Sequence, residues 1–565
     1  MKKDECFFDY PDFNNIKEII YDVVKKYPEN TAFIVKEKKE KNIKYTNINF
    51  TELLESVNNL GTGLYNLGMK DKKIAIISKN RYEWALSYIS ILLGNMVAVP
   101  LDKGLTPIEI ENSIIRSGAD AIIFDNGMAD VISDIRAGGK TQIKEYICME
   151  ENEDFTSLKN IMEKGKKLRL DGKKDFENAE IDSNKMSVLC FTSGTSATSK
   201  IVMLSHRNIA SNISAMHRTE DFRSTDVNLA FLPLHHTFGS TGILFILSYG
   251  AATAFPDGLR YIAQNLKEYG VSVFIGVPLL VESMYKKIEK EVEKQGKTKL
   301  INVARKVTNI CPSLKRKVFK QIIDQLGGKL RLIISGAAGL DKDVWKAFNE
   351  LGIKVIQGYG LTESSPVVAA ENFKYGKQGS IGFPLYGVEV KIFDKNEEGI
   401  GELAVKGPNV MLGYYNDEVA TKETFRDGWL LTGDLAYIDK EGFIFITGRK
   451  KNVIVLKNGK NIYPEELEML VNKLPIVKDC MVFGKPKDDD VVLSIKVQYD
   501  EEYVKENYSD LDEEKLNEIL WEQIKQINRT MPTYKYIKNL IITKEDFIKT
   551  TTAKIKRHEE MKKIN

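Results

Sequence analysis

Between residues 74 and 124, short apolar runs alternate with amphipathic stretches: IAIIS, RYEWALSYISILLG, VAVPL, PIEIENSIIRSG and AIIF. The runs have strand length, and the stretches between them carry apolar residues at helical spacing. Parallel strands need a crossover connection, usually a helix, so this alternation indicates βαβ units. This alternation therefore commits the chain to an α/β architecture, a parallel-rich sheet flanked by helices. It recurs later as LRLIISG, the helical DKDVWKAFNELG and IKVIQGYG. From about 380 to 447 the texture changes. Short strands such as VEVKIF and GELAVKG are punctuated by NEEGIG and DKEGF, which predicts an antiparallel β region. After TGRKKN comes a smaller mixed segment, with a helix at YPEELEMLVNKL, a strand near DCMVFG and a charged helical stretch at 511–528. With 565 residues, 43% of them hydrophobic, the chain can bury more than one core. Residues 151–185, rich in Lys, Glu and Asp, read as a solvated connection, and 282–331 as basic helices with solvated faces.

Several function classes are excluded. Acids and bases nearly cancel to a net charge of +3, which gives no electrostatic case for nucleic acid. Cys6, Cys148, Cys190, Cys311 and Cys480 are scattered without a C-x-x-C, against a disulfide framework or zinc site and in favour of a reducing compartment. The N-terminal MKKDECFFDYPDF has acids where a secretion signal needs an apolar core. The most apolar stretch, GILFILSYGAATAF, is too short for a bilayer and is interrupted by Ser248, Tyr249 and Gly250. A cytoplasmic location is expected.

The chemistry lies in the loops. FTSGTSATSK, 191–200, follows the apolar SVLC and precedes IVMLSHRNIASNISA, which has helical spacing. A Ser/Thr/Gly-rich loop closed by a lysine offers backbone donors, hydroxyls and charge to phosphate, although it does not match G-x-x-x-x-G-K-[ST]. In QGYGLTESSP, Gly358 and Gly360 allow close backbone approach, Tyr359 offers a face for a flat base, Thr362 a hydroxyl and Glu363 a hard oxygen for Mg²⁺. Asp434 follows a tight Thr-Gly turn and suits the two hydroxyls of a ribose; Arg449 also follows a Thr-Gly pair. Lys554 sits in a Thr-rich loop before a basic helical tail. His235 and His236, adjacent on an extended chain, would face opposite ways and make a poor metal pair. Taken singly, each feature also has a plain reading: a solvated loop, a capping aspartate, a surface charge or a half-buried histidine.

Together, FTSGTSATSK, LPLHHTFG, SGAAGL, QGYGLTE, GELAVKGPNVMLGYY, TGDLAYID, GRKKNVIVLKNGKNIYPEELE and TTAKIKR, in that order, resemble the adenylate-forming superfamily over about residues 10–560. LPLHHTFG and LKNGKNIYPEELE are most similar to its long-chain fatty-acid–CoA ligase branch. The resemblance implies a large N-terminal domain, 1–449, of parallel-rich sheets with a distorted β-barrel subdomain. A small mobile α+β C-terminal domain, 450–565, would carry the catalytic lysine. It also implies that Thr192, Ser193, Gly194, Thr195, Ser196 and Lys200 hold the β- and γ-phosphates of ATP. Ala197, Ser199 and Ile201 depart from the usual T-S-G-T-T-G-x-P-K-G.

The implied reaction has two steps. A carboxylate attacks the α-phosphorus of Mg·ATP, giving acyl-adenylate and pyrophosphate; the thiol of CoA then displaces AMP. Lys554 would bridge carboxylate and α-phosphate, with Thr362 on the α-phosphate and Glu363 on Mg²⁺. Asp434 and Arg449 would hold the ribose. Tyr359, Gly358, Gly360 and the segment Gly336, Ala337, Ala338 would frame the adenine. His236 would line the acyl channel, Lys451 would be the hinge, and rotation would bring the face 456–461, with Gly459, to the thioester step. Two alternatives stand beside this: a ligase that loads a separate phosphopantetheinyl carrier protein, and a non-catalytic adenylate-binding protein. A fatty acid partitions into bilayers, so weak, salt-sensitive membrane contact is a further expectation. It is placed on 286–331, where Lys315, Arg316, Lys317 and Lys320 interleave with Val318, Phe319, Ile322 and Ile323. The plainer reading of that stretch is an amphipathic helix packed on the core.

Overall fold

The computed structural model describes residues 6–39, 42–192, 199–456, 460–487, 490–508, 512–550 and 554–564. The chain forms two compact units, Met1–Val390 with Val405–Leu430, and Lys391–Ala404 with Leu431–Asn565.

The first unit contains two large sheets. One has eight strands in the order Gly413–Tyr414, Ile201–Ser205, Met186–Phe191, Val97–Pro100, Lys73–Ile77, Ala121–Phe124, Glu145–Cys148 and Thr156–Ser157. Its centre is the alternation read from the sequence: Ile74 pairs in parallel register with both Ala98 and Ala121. Helix Tyr82–Leu93 connects two of these strands and is buried on nearly every side, so it reads as apolar all round. Helix Pro107–Ser117 begins with a capping box, Thr106 with Glu109, and ends on Gly118 in the left-handed conformation. The other sheet has nine strands. Its parallel part runs Thr31–Lys39, Ala252–Ala254, Val227–Leu229, Val273–Gly276, Leu332–Ser335, Lys354–Gly360.

Two sequence expectations are corrected here. Residues 201–205 are a strand, not the start of a helix; they pair antiparallel with Met186–Phe191, and the helix begins only at His206, capped by Ser205. Four apolar residues in five fit either period, and cross-strand pairing decides. The stretch 151–185 is not merely a solvated connection. It contains helix Leu158–Leu170, which packs on helix Phe50–Asn66, and Phe176 is buried in the core. Its charges lie on one face, and the other approaches so closely that a Cβ on Gly165 would lie 1.8 Å from the carbonyl oxygen of Asn59.

In the second unit, strand Trp429–Ile438 pairs antiparallel with Ile444–Arg449. A three-stranded sheet, Val477–Lys487, Asp490–Tyr499 and Asn539–Thr543, packs with helices Pro464–Val471 and Glu513–Asn528 around an apolar core that includes Leu467, Ile495 and Leu520. Among the described residues, no helix is long and apolar enough to cross a membrane.

Because the obstacle at Gly165 is backbone, Gly165→Ala should destabilise the first unit by about 1–3 kcal/mol through overpacking. Urea denaturation checks this; an unchanged midpoint would show that the two helices part without cost.

Candidate functional site

Each unit gathers its own set of candidate residues. In the first, the phosphate-loop candidates Ser193, Gly194, Thr195 and Ser196 lie outside the described residues, but both ends of the loop are placed. Thr192 N donates to the carbonyl oxygen of Lys200 at 2.9 Å, and Lys200 N donates to Thr192 Oγ1 at 3.0 Å. The loop is thus closed at its neck, as a continuation of the hairpin below it. Two departures from the family pattern have structural partners. Ser199, where proline is usual, is buried and clamped by Arg116, which donates to Ser199 Oγ at 3.2 Å and to its carbonyl oxygen at 2.5 Å. Ile201, where glycine is usual, packs in the core beneath the sheet.

Strand Lys354–Gly360 ends in the 3₁₀ turn Thr362–Ser364, which carries Thr362 and Glu363. Gly360 cannot bear a side chain: a Cβ there would lie 1.8 Å from the carbonyl oxygen of Pro366. A residue the sequence reading did not single out connects this turn to the phosphate loop. The Tyr414 hydroxyl donates to Glu363 Oε1 at 2.9 Å, and Lys200 Nζ stands 4.4 Å from the centre of the Tyr414 ring. Burial, together with the carboxylate of Glu363, holds the Tyr414 phenol protonated well above its ordinary range. The backbone agrees: Tyr414 pairs with Val202 in the sheet, and Met411 N donates to the carbonyl oxygen of Glu363 at 2.9 Å. Asn409 Nδ2, also missed, holds the carbonyl oxygen of Ser364 at 3.0 Å. Both lie in GELAVKGPNVMLGYY, but nothing local distinguishes a tyrosine that ends a strand from one that joins two loops.

The adenine-frame candidates meet at the carboxyl ends of adjacent parallel strands, where α/β sheets bind ligands. Ser335 pairs with Gln357, so Gly336, Ala337 and Ala338 leave the sheet beside Gly358, Tyr359 and Gly360. Ala337 adopts φ 72°, a left-handed conformation that costs an alanine of order 1 kcal/mol. Leu340 N donates to Gln357 Oε1 at 2.9 Å and so fixes the far end of this segment. A Cβ on Gly336 would meet the Phe238 ring at 2.9 Å. Helix Thr237–Ser248, for which His236 is the N-cap residue, therefore starts beside the same rim.

The two histidines are not on an extended chain as expected. They lie in a turn, with ring centroids 4.2 Å apart. His235 is half-buried, and its loss of hydration pushes its pKa down to about 4, so it is neutral near pH 7. Among the described residues, no group of three His, Cys, Asp or Glu is placed to hold a metal. The lone carboxylate of Glu363 still fits Mg²⁺, which commonly takes one or two carboxylates and receives its other oxygens from substrate phosphates and water.

In the second unit, Thr432 and Gly433 form no turn before Asp434 as expected; all three lie in one strand, with Asp434 directly opposite Arg449. Arg449 Nε lies 2.9 Å from Asp434 Oδ1, with the carboxylate buried and the guanidinium part-exposed. Lys554 lies within the field of both. Its pKa is lowered by loss of hydration and by the positive charge of Arg449, while Asp434 opposes the shift. Thr550 brackets Lys554, its N–H donating to the Lys554 carbonyl oxygen at 2.8 Å and its hydroxyl accepting from Lys554 N at 3.2 Å. Lys451 lies in the 3₁₀ turn Lys450–Asn452. Gly459 lies outside the described residues.

The chain matches the family model of AMP-binding enzymes over residues 20–415 and that of the AMP-binding enzyme C-terminal domain over 451–564. It is 29% identical to fatty acyl-CoA synthetase B of Dictyostelium discoideum, covering 83% of this chain and 75% of that one. It is 31% identical to long-chain-fatty-acid–CoA ligase 5 of Rattus norvegicus, covering 78% and 69% respectively. Among solved structures, the anthranilate CoA ligase AuaEII in complex with anthranoyl-AMP shares the fold, with TM-score 0.77 and 21% identity over 98% of both chains. ATP-bound MatB from Rhodopseudomonas palustris shares it as well, with TM-score 0.75 and 22% identity over 97% of this chain and 98% of that one.

Tyr414 gives this geometry its test. Tyr414→Phe removes the hydrogen bond to Glu363 and keeps the ring under Lys200; Tyr414→Leu removes both. Loss of a bond to a charged group, about 1.5 kcal/mol, should weaken Mg·ATP binding roughly tenfold. Loss of the cation–π contact, about 1 kcal/mol, should weaken it about fivefold more. Calorimetry with and without Mg²⁺ checks this. The Phe variant should lose more affinity with the metal present than without it, and equal losses would remove Tyr414 from the metal carboxylate.

Proposed function

The chain belongs to the AMP-binding enzyme family, and from that premise we propose that it activates a fatty acid, long-chain by its curated relatives, to an acyl-CoA. The observation that carries this reading is the junction in the first unit, where Lys200 at the neck of a hydroxyl-rich loop and Glu363 on another loop share one tyrosine. A cation for phosphate and a carboxylate for a metal are thereby held in one fixed relation. That is what a reaction at a triphosphate requires, since phosphoryl-centred chemistry depends on positioning and charge neutralisation more than on covalent help.

In this reading the fatty-acid carboxylate attacks the α-phosphorus of ATP, and pyrophosphate leaves. The sulfur of CoA then attacks the acyl carbonyl, its proton is lost, and AMP leaves. Thr192 and Lys200, with Ser193, Gly194, Thr195 and Ser196, hold the β- and γ-phosphates. Thr362 donates its hydroxyl to the α-phosphate. Glu363 holds Mg²⁺, which neutralises charge on the phosphates when bound. Gly336, Ala337, Ala338, Gly358, Tyr359 and Gly360 frame the base, and His236 lines the acyl channel. Asp434 accepts hydrogen bonds from the ribose hydroxyls while Arg449 keeps its carboxylate oriented. Lys554 supplies a cation to the attacking carboxylate and the α-phosphate. Lys451 is the hinge between a domain ending at 449 and one beginning at 450, a division supported by the separate family matches at 20–415 and 451–564. After rotation, the face around Gly459 serves the thioester step. A phosphopantetheinyl carrier protein is the alternative acceptor to CoA, and contact with a lipid surface is part of the same reading.

Incubation with ATP, Mg²⁺, palmitate and CoA tests the reading: pyrophosphate should appear, then palmitoyl-CoA. Pyrophosphate without a CoA thioester would favour the carrier acceptor, and no pyrophosphate would favour a non-catalytic binder. Lys554→Ala should abolish adenylate formation and leave thioester formation from pre-made acyl-adenylate nearly intact; equal loss in both half-reactions would count against its role. Asp434→Ala removes two charge-assisted hydrogen bonds of about 1.5–3 kcal/mol each, so ATP affinity should fall at least a hundredfold. An affinity unchanged by calorimetry would sink the ribose assignment.

A further inference from the structure

Helix Thr298–Ile310 in the first unit has one face fixed and one face bare. On the fixed face, Arg305 Nη2 donates to the Tyr285 hydroxyl at 3.1 Å and Arg305 Nε lies 3.7 Å from Glu350. Thr308 is fully buried there, and Ile301 and Ala304 pack on the core. At 100° per residue, Leu300, Val303, Val307 and Ile310 fall in one stripe on another side. They are 66%, 59%, 53% and 83% exposed. Leu314 and Val318, further along, are 43% and 48% exposed. Isolated apolar side chains on a surface need no explanation, but a continuous stripe marks a contact.

The charge is as one-sided as the apolarity. From Lys297 to Lys320 no Asp or Glu interrupts a run of lysines and arginines, in a chain whose net charge is +3. The four cations singled out from the sequence are largely occupied. Lys315 Nζ donates to the carbonyl oxygen of Asn349 at 3.0 Å, Arg316 to those of Leu330 at 2.8 Å and Gly328 at 3.3 Å, and Lys320 pairs with Asp324 at 2.6 Å. Phe319, Ile322 and Ile323, expected to interleave with them, are buried. Lys299, Lys306 and Lys317 are exposed and have no ion-pair partner among the described residues. Lys299 and Lys306 are seven positions apart, on one flank of the stripe.

We propose that this face of helix Thr298–Ile310, continued through Leu314 and Val318, docks on an anionic lipid surface. The apolar stripe enters the boundary between headgroups and acyl chains, and Lys299, Lys306 and Lys317 meet the headgroups. A second copy of the chain is a poorer occupant. A twofold contact would bring the same three cations from both copies together, with no acid in the segment to offset them. The proposal deepens the fatty-acid reading, since it places the enzyme where such a substrate accumulates. It rests on that reading only for its purpose, because the surface is observed independently of the reaction.

The test is flotation of the full chain with phosphatidylglycerol or phosphatidylcholine vesicles at low and high salt. The wild type should float with the anionic vesicles at low salt and be released at high salt. Each lysine is worth about fivefold in partitioning, so Lys299→Gln, Lys306→Gln and Lys317→Gln together should lower it about a hundredfold. Leu300→Ser, Val307→Ser and Ile310→Ser together should lower it at least about tenfold. All six positions are exposed, and thermal melts would verify folding. No flotation of the wild type, or equal flotation of either triple variant, overturns the proposal. So does concentration-dependent dimerisation that the serine variant abolishes while vesicles stay unbound, or binding to polyglutamate that ignores the serine substitutions. Palmitoyl-CoA formation without vesicles is measured in parallel. Thioester without flotation overturns the docking alone, and flotation without thioester overturns the reaction alone.

Discussion

A two-residue strand determines the geometry of the first unit's site. Gly413 and Tyr414 add to the edge of the sheet beside Met203 and Val202, and this fixes the side chain that touches both Lys200 and Glu363. A phenol is suited to that place. Its ring face attracts a cation, and its hydroxyl donates to an anion at the far end of the same rigid group. Lysine and glutamate joined directly would neutralise each other and leave neither for a phosphate or a metal. With an aromatic spacer, both charges stay oriented and available.

The segments proposed to frame the base are held in a different way, by a network of buried polar groups. The backbone N–H of Gln357, the indole N–H of Trp345 and the backbone N–H of Lys377 all donate to the buried carboxyl group of Glu371, at 2.9, 2.9 and 2.8 Å. Burial nonetheless pushes Glu371 up to about 7. Gln357 passes the constraint forward, its side chain accepting from Leu340 N and donating to the carbonyl oxygen of Ser380. The left-handed Ala337 thus lies between a strand end and a pinned Leu340, and the surrounding bonds maintain a conformation an alanine would not choose alone.

Much of this was legible because it is local. Strand–helix alternation and the loops at strand ends are written within a few residues of where they act. What escaped depends on distant partners. The strand at 201–205 is decided by its neighbour at 186–191, not by its own spacing. Helix Leu158–Leu170 hides in a charged stretch because its tight contact uses a glycine, which has no hydropathy signal. Tyr414 becomes significant only when Glu363 and Lys200 arrive from elsewhere in the chain. Conversely, Lys315 and Arg316 read as surface charge yet turn to backbone carbonyl oxygens at the ends of neighbouring elements. A sequence shows which cations exist, and the fold decides which remain free.

Lys554 illustrates the same rule in the second unit. It lies between strand Asn539–Thr543 and helix Arg557–Ile564, outside either element, so its place depends on what holds the chain on each side. The chain on both sides is tied to the three-stranded sheet and to helix Pro464–Val471. Lys549 pairs with Asp479 at 2.7 Å, and Arg557 binds the carboxylate of Glu468 through both its oxygens. Glu560, fully buried, pairs with Lys496 at 2.8 Å and accepts from the backbone N–H of Ile548 at 2.8 Å. Breaking a buried pair of this kind leaves an uncompensated charge, at about 3–5 kcal/mol. That buried pair, with the partly exposed pairs of Lys549 and Arg557, holds the segments before and after Lys554 to the rest of the unit. Lys554 therefore has the orientation of the sheet it is tied to. With the hinge proposed at Lys451, the lysine would move with that sheet as one body rather than by loosening of its own segment.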